Sequence, residues 1–399
     1  MMMARFARRM IAEIDPRLLA RFAVAFGWKG NRAVRRFKRA QNRDDLFPPF
    51  LFISLTNRCN LDCTGCWVSG ETAATKELPL DAVQTLIRDA KARGNAIFGL
   101  LGGEPLLYDG LFELIQQHRD CYFLLFTNGT LLTDEHAARM RRLGNVSPLI
   151  SIEGDESESD ERRGGKDVFR RSLRGVRHCR RHRLVTGVAT SLCRSNIESL
   201  ATEEFLQRCV TEGVHYLWYY IYRPVGPRPA PELTLSADQI VRLREFLVQS
   251  RLKTPLMIVD AYWDADGRAL CPAATGISHH VGPGGDLEPC PPIQFARDNV
   301  LHNDGLAGGF DTTGFLRRFR HLAHATTPGC ILLENPQRLI DFIRQEGALD
   351  SSGRGMAGAE LAAMQACAGH HQPGREIPER HWFYRWGKKN WFCGLGVYG

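Results

Sequence analysis

The chain has 399 residues, of which 44% are apolar and 24% charged, a composition typical of a globular protein. No run of about 18 apolar residues is present, which excludes a transmembrane helix, and arginines interrupt residues 1–39 too often for a signal peptide. Twelve cysteines without an export signal favour a reducing cytoplasm, and metal ligation rather than disulfides.

The first 46 residues are basic. They hold twelve Lys or Arg and four Asp or Glu, so their own net charge is 12 − 4 = +8. This equals the net charge of +8 for the whole chain. Apolar residues between Leu18 and Phe26 surround Arg21, and this pattern predicts one or two amphipathic helices broken near Gly27–Gly30. Such a segment either lies on an anionic membrane surface or packs on the main domain with a solvated basic face.

Apolar runs alternate with amphipathic stretches from residue 50 to about 225, and this pattern predicts parallel βαβ units in a domain spanning 47–253. The predicted strands are 50–55, 97–101, 121–126, 146–152, 184–192 and 215–222. The predicted helices are 79–93, 109–118, 133–143, 167–182, 199–212 and 237–251.

Three cysteines lie in the loop after the first predicted strand. Cys59, Cys63 and Cys66 have the spacing C-x3-C-x2-C. Thiolates are soft ligands that suit zinc or an iron–sulfur cluster. Both sites usually take four protein ligands, and no fourth Cys or His lies near. The loop therefore predicts a metal centre with one position open to an exchangeable ligand.

Polar residues and glycines also follow the next predicted strands. The active sites of barrels are found at these carboxyl ends of the strands. Ser151 and Glu153 share one face of the fourth strand because side chains alternate, and residues 155–166 after them are predicted to form a flexible loop. The strand-end residues are Gly102-Gly103-Glu104-Pro105, Thr127-Asn128-Gly129, Ser151, Glu153 and Thr190.

These motifs together resemble the radical S-adenosylmethionine (radical SAM) enzymes. The resemblance implies a partial (β/α)6 barrel in which Cys59, Cys63 and Cys66 hold a catalytic [4Fe-4S] cluster whose open iron binds SAM. It implies reductive cleavage of SAM to methionine and a 5′-deoxyadenosyl radical, with electrons from a donor such as flavodoxin or ferredoxin. The family often has an aromatic residue before the third cysteine, where this chain has Gly65. The SAM contacts that the resemblance implies are Gly102, Gly103, Glu104, Ser151, Glu153 and Thr190.

A second cysteine set lies in residues 254–335. Cys271 precedes a Gly-Gly-Asp turn that predicts a β-hairpin ending at Cys290, and Cys330 follows. This order resembles the start of a SPASM/twitch extension, a small α+β metal-binding domain, and implies a second, auxiliary [4Fe-4S] cluster. A zinc site or free buried thiols are the alternatives. The fourth ligand is left open among Cys367, Cys393, His279, His280 and an atom of substrate or solvent.

Residues 336–399 form a C-terminal region whose last part mixes aromatic and basic residues from His381 to Cys393. This mixture suits a membrane interface, stacking on single-stranded nucleic acid, or packing across the open side of the barrel.

We expect a cytoplasmic radical SAM enzyme, with a peripheral position at the inner face of the membrane as a further hypothesis, because both ends are basic and aromatic. Its substrate would be a small-molecule, amphiphilic or lipid compound that is oxidised or coupled. The alternatives are a peptide-modifying radical SAM enzyme, a redox-sensing membrane-surface protein and a zinc-binding nucleic-acid protein. The last leaves the strand-end motifs without a role, so no nucleic acid partner is expected.

Overall fold

A computed structural model describes residues 2–40, 47–68, 74–302, 306 and 310–391. The basic N-terminal segment is helical, but the predicted break near Gly27–Gly30 is wrong. A π-helical stretch, Ala23–Gly30, runs through it and joins helices α2 (Pro16–Phe22) and α3 (Asn31–Ala40). The chain breaks earlier, after α1 (Met2–Glu13), because Asp15 caps α2 and Pro16 begins it. Glycine within a helix costs only about 1 kcal/mol relative to alanine.

This N-terminal segment packs under the sheet. Ile14, Leu18 and Phe37 are almost fully buried in the same hydrophobic core as the strands. Phe26 lies edge-on to Tyr122, with ring centroids 5.5 Å apart. Arg9 donates to the backbone oxygen of Val214 at 3.1 Å.

The predicted strands and helices alternate along the chain as expected. In chain order they are β1 (Phe50–Ser54), α4 (Leu80–Ala92), β2 (Ile97–Leu101), α5 (Leu111–Gln117), β3 (Tyr122–Thr127), α6 (Asp134–Leu143), β4 (Val146–Ser151), α7 (Glu156–Arg162), α8 (Val168–Arg181), β5 (Gly187–Leu192), α9 (Ile197–Leu200), α10 (Glu203–Thr211), β6 (Tyr216–Ile221), α11 (Ala237–Lys253) and β7 (Met257–Val259). Two short 3-10 helices lie at Pro105–Leu107 and Pro231–Leu233.

The remaining elements are α12 (Pro272–Thr275), β8 (Ser278–Val281), β9 (Leu287–Glu288), β10 (Phe295–Ala296), α13 (Phe315–Thr326), α14 (Ile331–Glu334), α15 (Pro336–Glu346), β11 (Leu349–Asp350), α16 (Ala357–Ala362) and α17 (Trp382–Asn390). β10 and β11 form a separate antiparallel pair. None of the described helices has the length and hydropathy of a membrane span.

One nine-stranded sheet organises the molecule, in the order β7-β6-β5-β4-β3-β2-β1-β8-β9. Strands β1 to β7 are parallel neighbours, which confirms the predicted partial barrel. The predicted hairpin forms as β8 and β9, which pair antiparallel. The sequence did not predict that β8 also pairs parallel with β1, so that the cysteine hairpin extends the barrel sheet directly.

Helix α17 covers the other edge of the sheet, beside β7. The backbone N–H of Ile258 donates to the Tyr384 hydroxyl at 2.9 Å, and Lys388 Nζ donates to Asp260 at 3.0 Å. Asp260 and Glu379 also balance the buried Arg244 and Arg251. The aromatic and basic C-terminal helix therefore packs across the open edge of the barrel, as one of the alternatives expected.

Candidate active site

The three-cysteine loop lies at the carboxyl end of β1 and is held by the end of β2. Gly103 N–H donates to the Thr56 oxygen at 2.7 Å, and Glu104 N–H donates to the Arg58 oxygen at 2.8 Å. A Cβ on either Gly102 or Gly103 would overlap these two carbonyls. The glycine pair is therefore required for the close approach of two backbones, while both glycines still line the cavity beside the loop.

Tyr222, just beyond β6, packs over Gly65. Gly65 has φ +70°, and a Cβ there would overlap the Tyr222 hydroxyl. The segment after β6 is also tied to the loop, because Gly65 N–H donates to the Arg228 oxygen at 2.8 Å. An aromatic side chain from the segment after β6 thus lies beside the loop position at which the family often has an aromatic residue.

Glu104 points away from the cavity. Its carboxylate is fully buried and accepts hydrogen bonds from Thr127 Oγ1 at 2.7 Å and from the Asn128 N–H at 2.8 Å. Burial raises the pKa of Glu104 despite these bonds. The side chain ties the end of β2 to the end of β3, and its predicted contact with SAM stays a prediction.

Glu153 faces the cavity and is paired with Arg163, a residue that sequence reasoning did not select. Glu153 forms an ion pair with Arg163 and accepts from the Ser191 N–H at 2.9 Å. Arg163 also reaches Cys63, with Nη1 3.9 Å from the sulfur. Arg163 therefore connects the acidic strand end to the cysteine loop.

Part of the predicted flexible loop 155–166 is helix α7, so that prediction is wrong in part. Asp155 accepts from the Glu158 N–H at 3.0 Å, and the Glu158 carboxylate accepts from the Asp155 N–H at 3.2 Å. This reciprocal capping box starts a helix that carries Arg162 and leads into Arg163. The Asp-x-x-Glu spacing was the sequence signal that could have identified it.

Ser151 and Thr190 also line the cavity. Thr190 is buried, and its hydroxyl has no hydrogen-bond partner among the described residues. Buried polar atoms are normally paired, and four more unpaired ones belong to residues in the cavity wall. They are Trp67 Nε1, Arg162 Nε, Trp218 Nε1 and His279 Nε2. This wall is therefore suited to hold a ligand with polar groups.

The second cysteine set faces the same cavity. Cys271 precedes α12, Cys290 follows the β8–β9 hairpin, and Cys330 precedes α14. All three line a cavity of about 340 Å³ together with Cys59, Cys63 and Cys66. The sequence placed the two sets in separate domains, and the structure brings them to one space.

Of the candidates for a fourth ligand, Cys367 lies beside this set. Burial, Cys330 and Glu334 raise the pKa of Cys367 to about 11. His279 donates to the Pro289 oxygen through Nδ1 at 3.0 Å and lines the cavity. His280 is already engaged by Ser54 at 2.8 Å and Glu288 at 2.6 Å. Cys393 lies outside the described residues.

Arg223 lies directly after β6 and is a second cavity residue that sequence reasoning did not select. Its Nε donates to the Cys330 sulfur at 3.4 Å, and its guanidinium lies over the Tyr262 ring, 5.5 Å from the centroid. Its position immediately after a barrel strand was the available signal.

The cysteines suit metal ligation, although no three His, Cys, Asp or Glu side chains in the described ranges are arranged around a single metal ion. The ligands of a four-iron cluster bind separate irons and stand further apart than those of one ion. Burial raises the pKa of Cys59 to about 12 and that of Cys63 to about 11. Ligation would therefore displace protons from these thiols.

Comparison with known proteins matches the region of the chain that contains the cysteine loop. Residues 53–206, which run from β1 to α10, match the family described as the radical SAM superfamily. The chain contains a radical SAM domain. The domain includes both the cysteine loop and the ends of β2 to β5, and its superfamily is one of enzymes.

The chain is similar to curated proteins of two kinds. The pre-heme d1 synthase of Dinoroseobacter shibae is 31% identical over 225 residues, which are 55% of this chain and 52% of that protein. The sporulation killing factor maturation protein SkfB of Bacillus subtilis is 29% identical over 172 residues, 43% of this chain and 42% of that protein. The chain thus spans about half the length of the curated relatives it matches.

A solved structure shows the same fold. The Streptococcus suis SuiB structure superposes with a TM-score of 0.58 at 17% identity, covering 71% of each chain.

Proposed function

We propose that this chain is a radical SAM enzyme that uses Cys59, Cys63 and Cys66 to hold a [4Fe-4S] cluster and cleaves SAM reductively. The observation that carries the proposal is the shared cavity, where the cysteine loop, the strand ends and unpaired polar atoms meet. A cluster held there would supply the low-potential electron needed for this cleavage.

The residues of the chain have separate tasks in this proposal. The three cysteines each hold one iron and leave the fourth for SAM. Gly102 and Gly103 offer backbone atoms beside the loop, and Ser151 and Thr190 offer hydroxyls. Arg163 fixes the Glu153 carboxylate, which is placed to accept hydrogen bonds from SAM. We keep Glu104 as a residue that positions Asn128 and the loop.

Aromatic side chains make part of the cavity wall apolar. Trp218 and Tyr220 are stacked, with centroids 5.5 Å apart and planes at 12°. Phe126 lies against Trp218, with centroids 5.7 Å apart. An apolar enclosure of this kind protects a reactive radical from side reactions.

For the substrate, the aromatic wall favours a small-molecule or amphiphilic compound that is oxidised or coupled. The likeness to a pre-heme d1 synthase supports this class. The second candidate is a peptide, which the likeness to SkfB, named as a maturation protein, favours. We propose a flavodoxin- or ferredoxin-type electron donor for either substrate.

A second [4Fe-4S] cluster is part of the proposal. Cys271, Cys290 and Cys330 would hold it, and Cys367 is the fourth ligand we favour because it adjoins Cys330. A cluster at this place would line the same cavity as the cysteine loop.

A peripheral membrane position of this cytoplasmic enzyme is also proposed. The proposal is supported by hydrogen bonds between the basic N-terminal segment and the basic, aromatic C-terminal segment. Trp391 Nε1 donates to the Phe26 oxygen at 2.5 Å, and Lys38 Nζ donates to the Lys389 oxygen at 2.6 Å. Three exposed tryptophans lie on these segments, namely Trp28, Trp382 and Trp386. Tryptophan beside basic residues suits an anionic lipid headgroup region.

The test uses two triple variants of the anaerobically reconstituted chain. Replacing Cys59, Cys63 and Cys66 by alanine should abolish 5′-deoxyadenosine formation and leave about half of the iron, because four of about eight irons would be lost. Replacing Cys271, Cys290 and Cys330 by alanine should also remove about half of the iron while uncoupled SAM cleavage continues. Iron, sulfide and 5′-deoxyadenosine are measured after adding dithionite and SAM.

The control is Cys179→Ala, a buried thiol of α8 that belongs to neither set. It should keep all iron and all activity. Deoxyadenosine formation by the first triple variant would refute the site assignment. Stoichiometric zinc in place of iron would support the zinc-binding alternative.

A further inference from the structure

Arg223 is half-buried and, like the buried Arg162, has a cysteine sulfur and no carboxylate among its recorded partners. Arg163 is paired with Glu153, and Arg244, Arg251 and Lys388 share Asp260 and Glu379. Among the described residues, the recorded partners of Arg223 are the Cys330 sulfur, the Ile221 oxygen at 3.1 Å and the Tyr262 hydroxyl at 3.5 Å, with no carboxylate.

Even a half-buried guanidinium without an anion is costly, since charges removed from water are normally paired. Arginine stays protonated in proteins, so it cannot avoid this cost by losing its proton. Among its recorded partners, the groups that can become negative are the Cys330 sulfur and the Tyr262 hydroxyl. Cys330 accepts from Nε, and the charge of Arg223 also acts on Cys271 and Cys290.

The geometry of the guanidinium fixes which atom faces the cysteines. Nη1 is held by the Ile221 oxygen at the end of β6, and the Tyr262 ring lies below the plane. These contacts direct Nε–H at Cys330, at a distance normal for a hydrogen bond to sulfur. The residue is thus fixed before any metal binds.

We propose that Arg223 sets the reduction potential of the second cluster by donating a hydrogen bond to the Cys330 sulfur and by placing a fixed positive charge beside it. This inference rests on the proposed second cluster. The reduced form of a cluster carries one more negative charge than the oxidised form, so a nearby cation stabilises the reduced form more. Hydrogen bonds to the ligand sulfurs and net charge are known determinants of cluster potential.

The experiment measures the second cluster alone. The full chain with Cys59, Cys63 and Cys66 replaced by alanine is reconstituted, its iron is counted, and the remaining cluster is titrated under dithionite and followed by electron paramagnetic resonance. Into this background we introduce Arg223→Gln, which removes the charge, and Arg223→Lys, which keeps the charge but lacks the Nε donor. Arg174→Gln, an exposed arginine of α8, is the matched control.

Arg223→Gln should lower the equilibrium constant for reduction at least tenfold, which is about 59 mV for one electron. Arg223→Lys should shift it less in the same direction, and Arg174→Gln should leave it unchanged. An unchanged potential in Arg223→Gln with iron retained would overturn the inference. If Arg223→Gln loses its iron, an unchanged potential in Arg223→Lys would overturn it instead. If the background variant, in which Arg223 is unchanged, holds no iron, the proposed second cluster is refuted. The inference about Arg223 is then refuted with it.

Discussion

Gly65 is a residue whose identity is explained by a side chain 157 positions later in the sequence. Its backbone has φ +70°, and the Tyr222 hydroxyl occupies the space where its Cβ would be. Both constraints favour glycine, the first through backbone conformation and the second through packing. The cysteine loop therefore keeps its shape only with glycine before the third cysteine.

Gly65→Ala should destabilise the protein by about 2–4 kcal/mol, of which about 1 reflects the positive φ and the rest the overlap with Tyr222. Iron bound by the first cysteine set should fall as well. Urea unfolding of the metal-free chain and iron analysis after reconstitution measure the two effects. Gly374→Ala is the matched control, because Gly374 has φ +78° but open space around it. Equal losses in the two variants would show that Tyr222 does not constrain the loop.

At the scale of elements, α1 is bound to the sheet through one carboxylate. Glu13 accepts from Arg9 Nε and Nη2, both at 2.8 Å, and its carboxylate lies 3.5 Å from His215 Nε2, in the residue just before β6. Burial raises the pKa of Glu13, but the neighbouring His215 and Arg9 outweigh burial and lower it to about 2. The ionised carboxylate therefore stabilises the folded chain.

The sign of the pH dependence follows from this lowered pKa. A carboxylate with an ordinary pKa of 4.5 that falls to about 2 on folding contributes stability above pH 4.5 and loses it as the pH falls towards 2. Glu13→Gln should thus lower the urea midpoint at pH 6, and the gap from the unchanged protein should narrow as the pH falls from about 5 towards 3. The measurement is urea unfolding at a series of pH values.

Glu245→Gln, an exposed glutamate of α11, serves as the control and should show no such pH-dependent gap. A gap for Glu13→Gln that stays constant down to pH 3 would refute the role given to the ion pair.

At the scale of the whole molecule, the N-terminal helices and the C-terminal helix α17 are in contact. The C-terminal helix α17 closes the edge beside β7, and the N-terminal helices cover the sheet beneath it. The sequence suggests deleting residues 1–40 to test the membrane hypothesis. This deletion would also uncover the core around Ile14, Leu18 and Phe37. Surface substitutions are therefore the cleaner test.

Replacing Trp28, Trp382 and Trp386 together by alanine should weaken binding to phosphatidylserine-containing vesicles about tenfold or more, because interfacial tryptophans would be lost. These side chains are 64%, 67% and 44% exposed, so folding should be little affected. Flotation with phosphatidylcholine vesicles, with and without phosphatidylserine, measures binding. The double variant Leu349→Ala/Met356→Ala, at exposed apolar residues elsewhere, is the control. Equal binding by both variants would remove the proposal of a membrane surface.

The sequence by itself determined the alternation of six strands and their helices, because apolar runs and amphipathic stretches report local burial directly. It also determined the C-x3-C-x2-C loop and the Gly-Gly-Asp hairpin, since both are encoded by short spacings. Of the candidate site, it identified both cysteine sets and the residues at the strand ends.

Tertiary structure alone decided how these parts meet. The pairing of β8 with β1 joins segments more than 220 residues apart and brings both cysteine sets to one cavity. The pairing of Arg163 with Glu153, the turning of Glu104 towards β3, and the position of Arg223 beside Cys330 likewise depend on contacts between separate strand ends. Such contacts leave no periodic or spaced pattern in the chain, because the side chains that form them are neighbours only after the sheet has assembled.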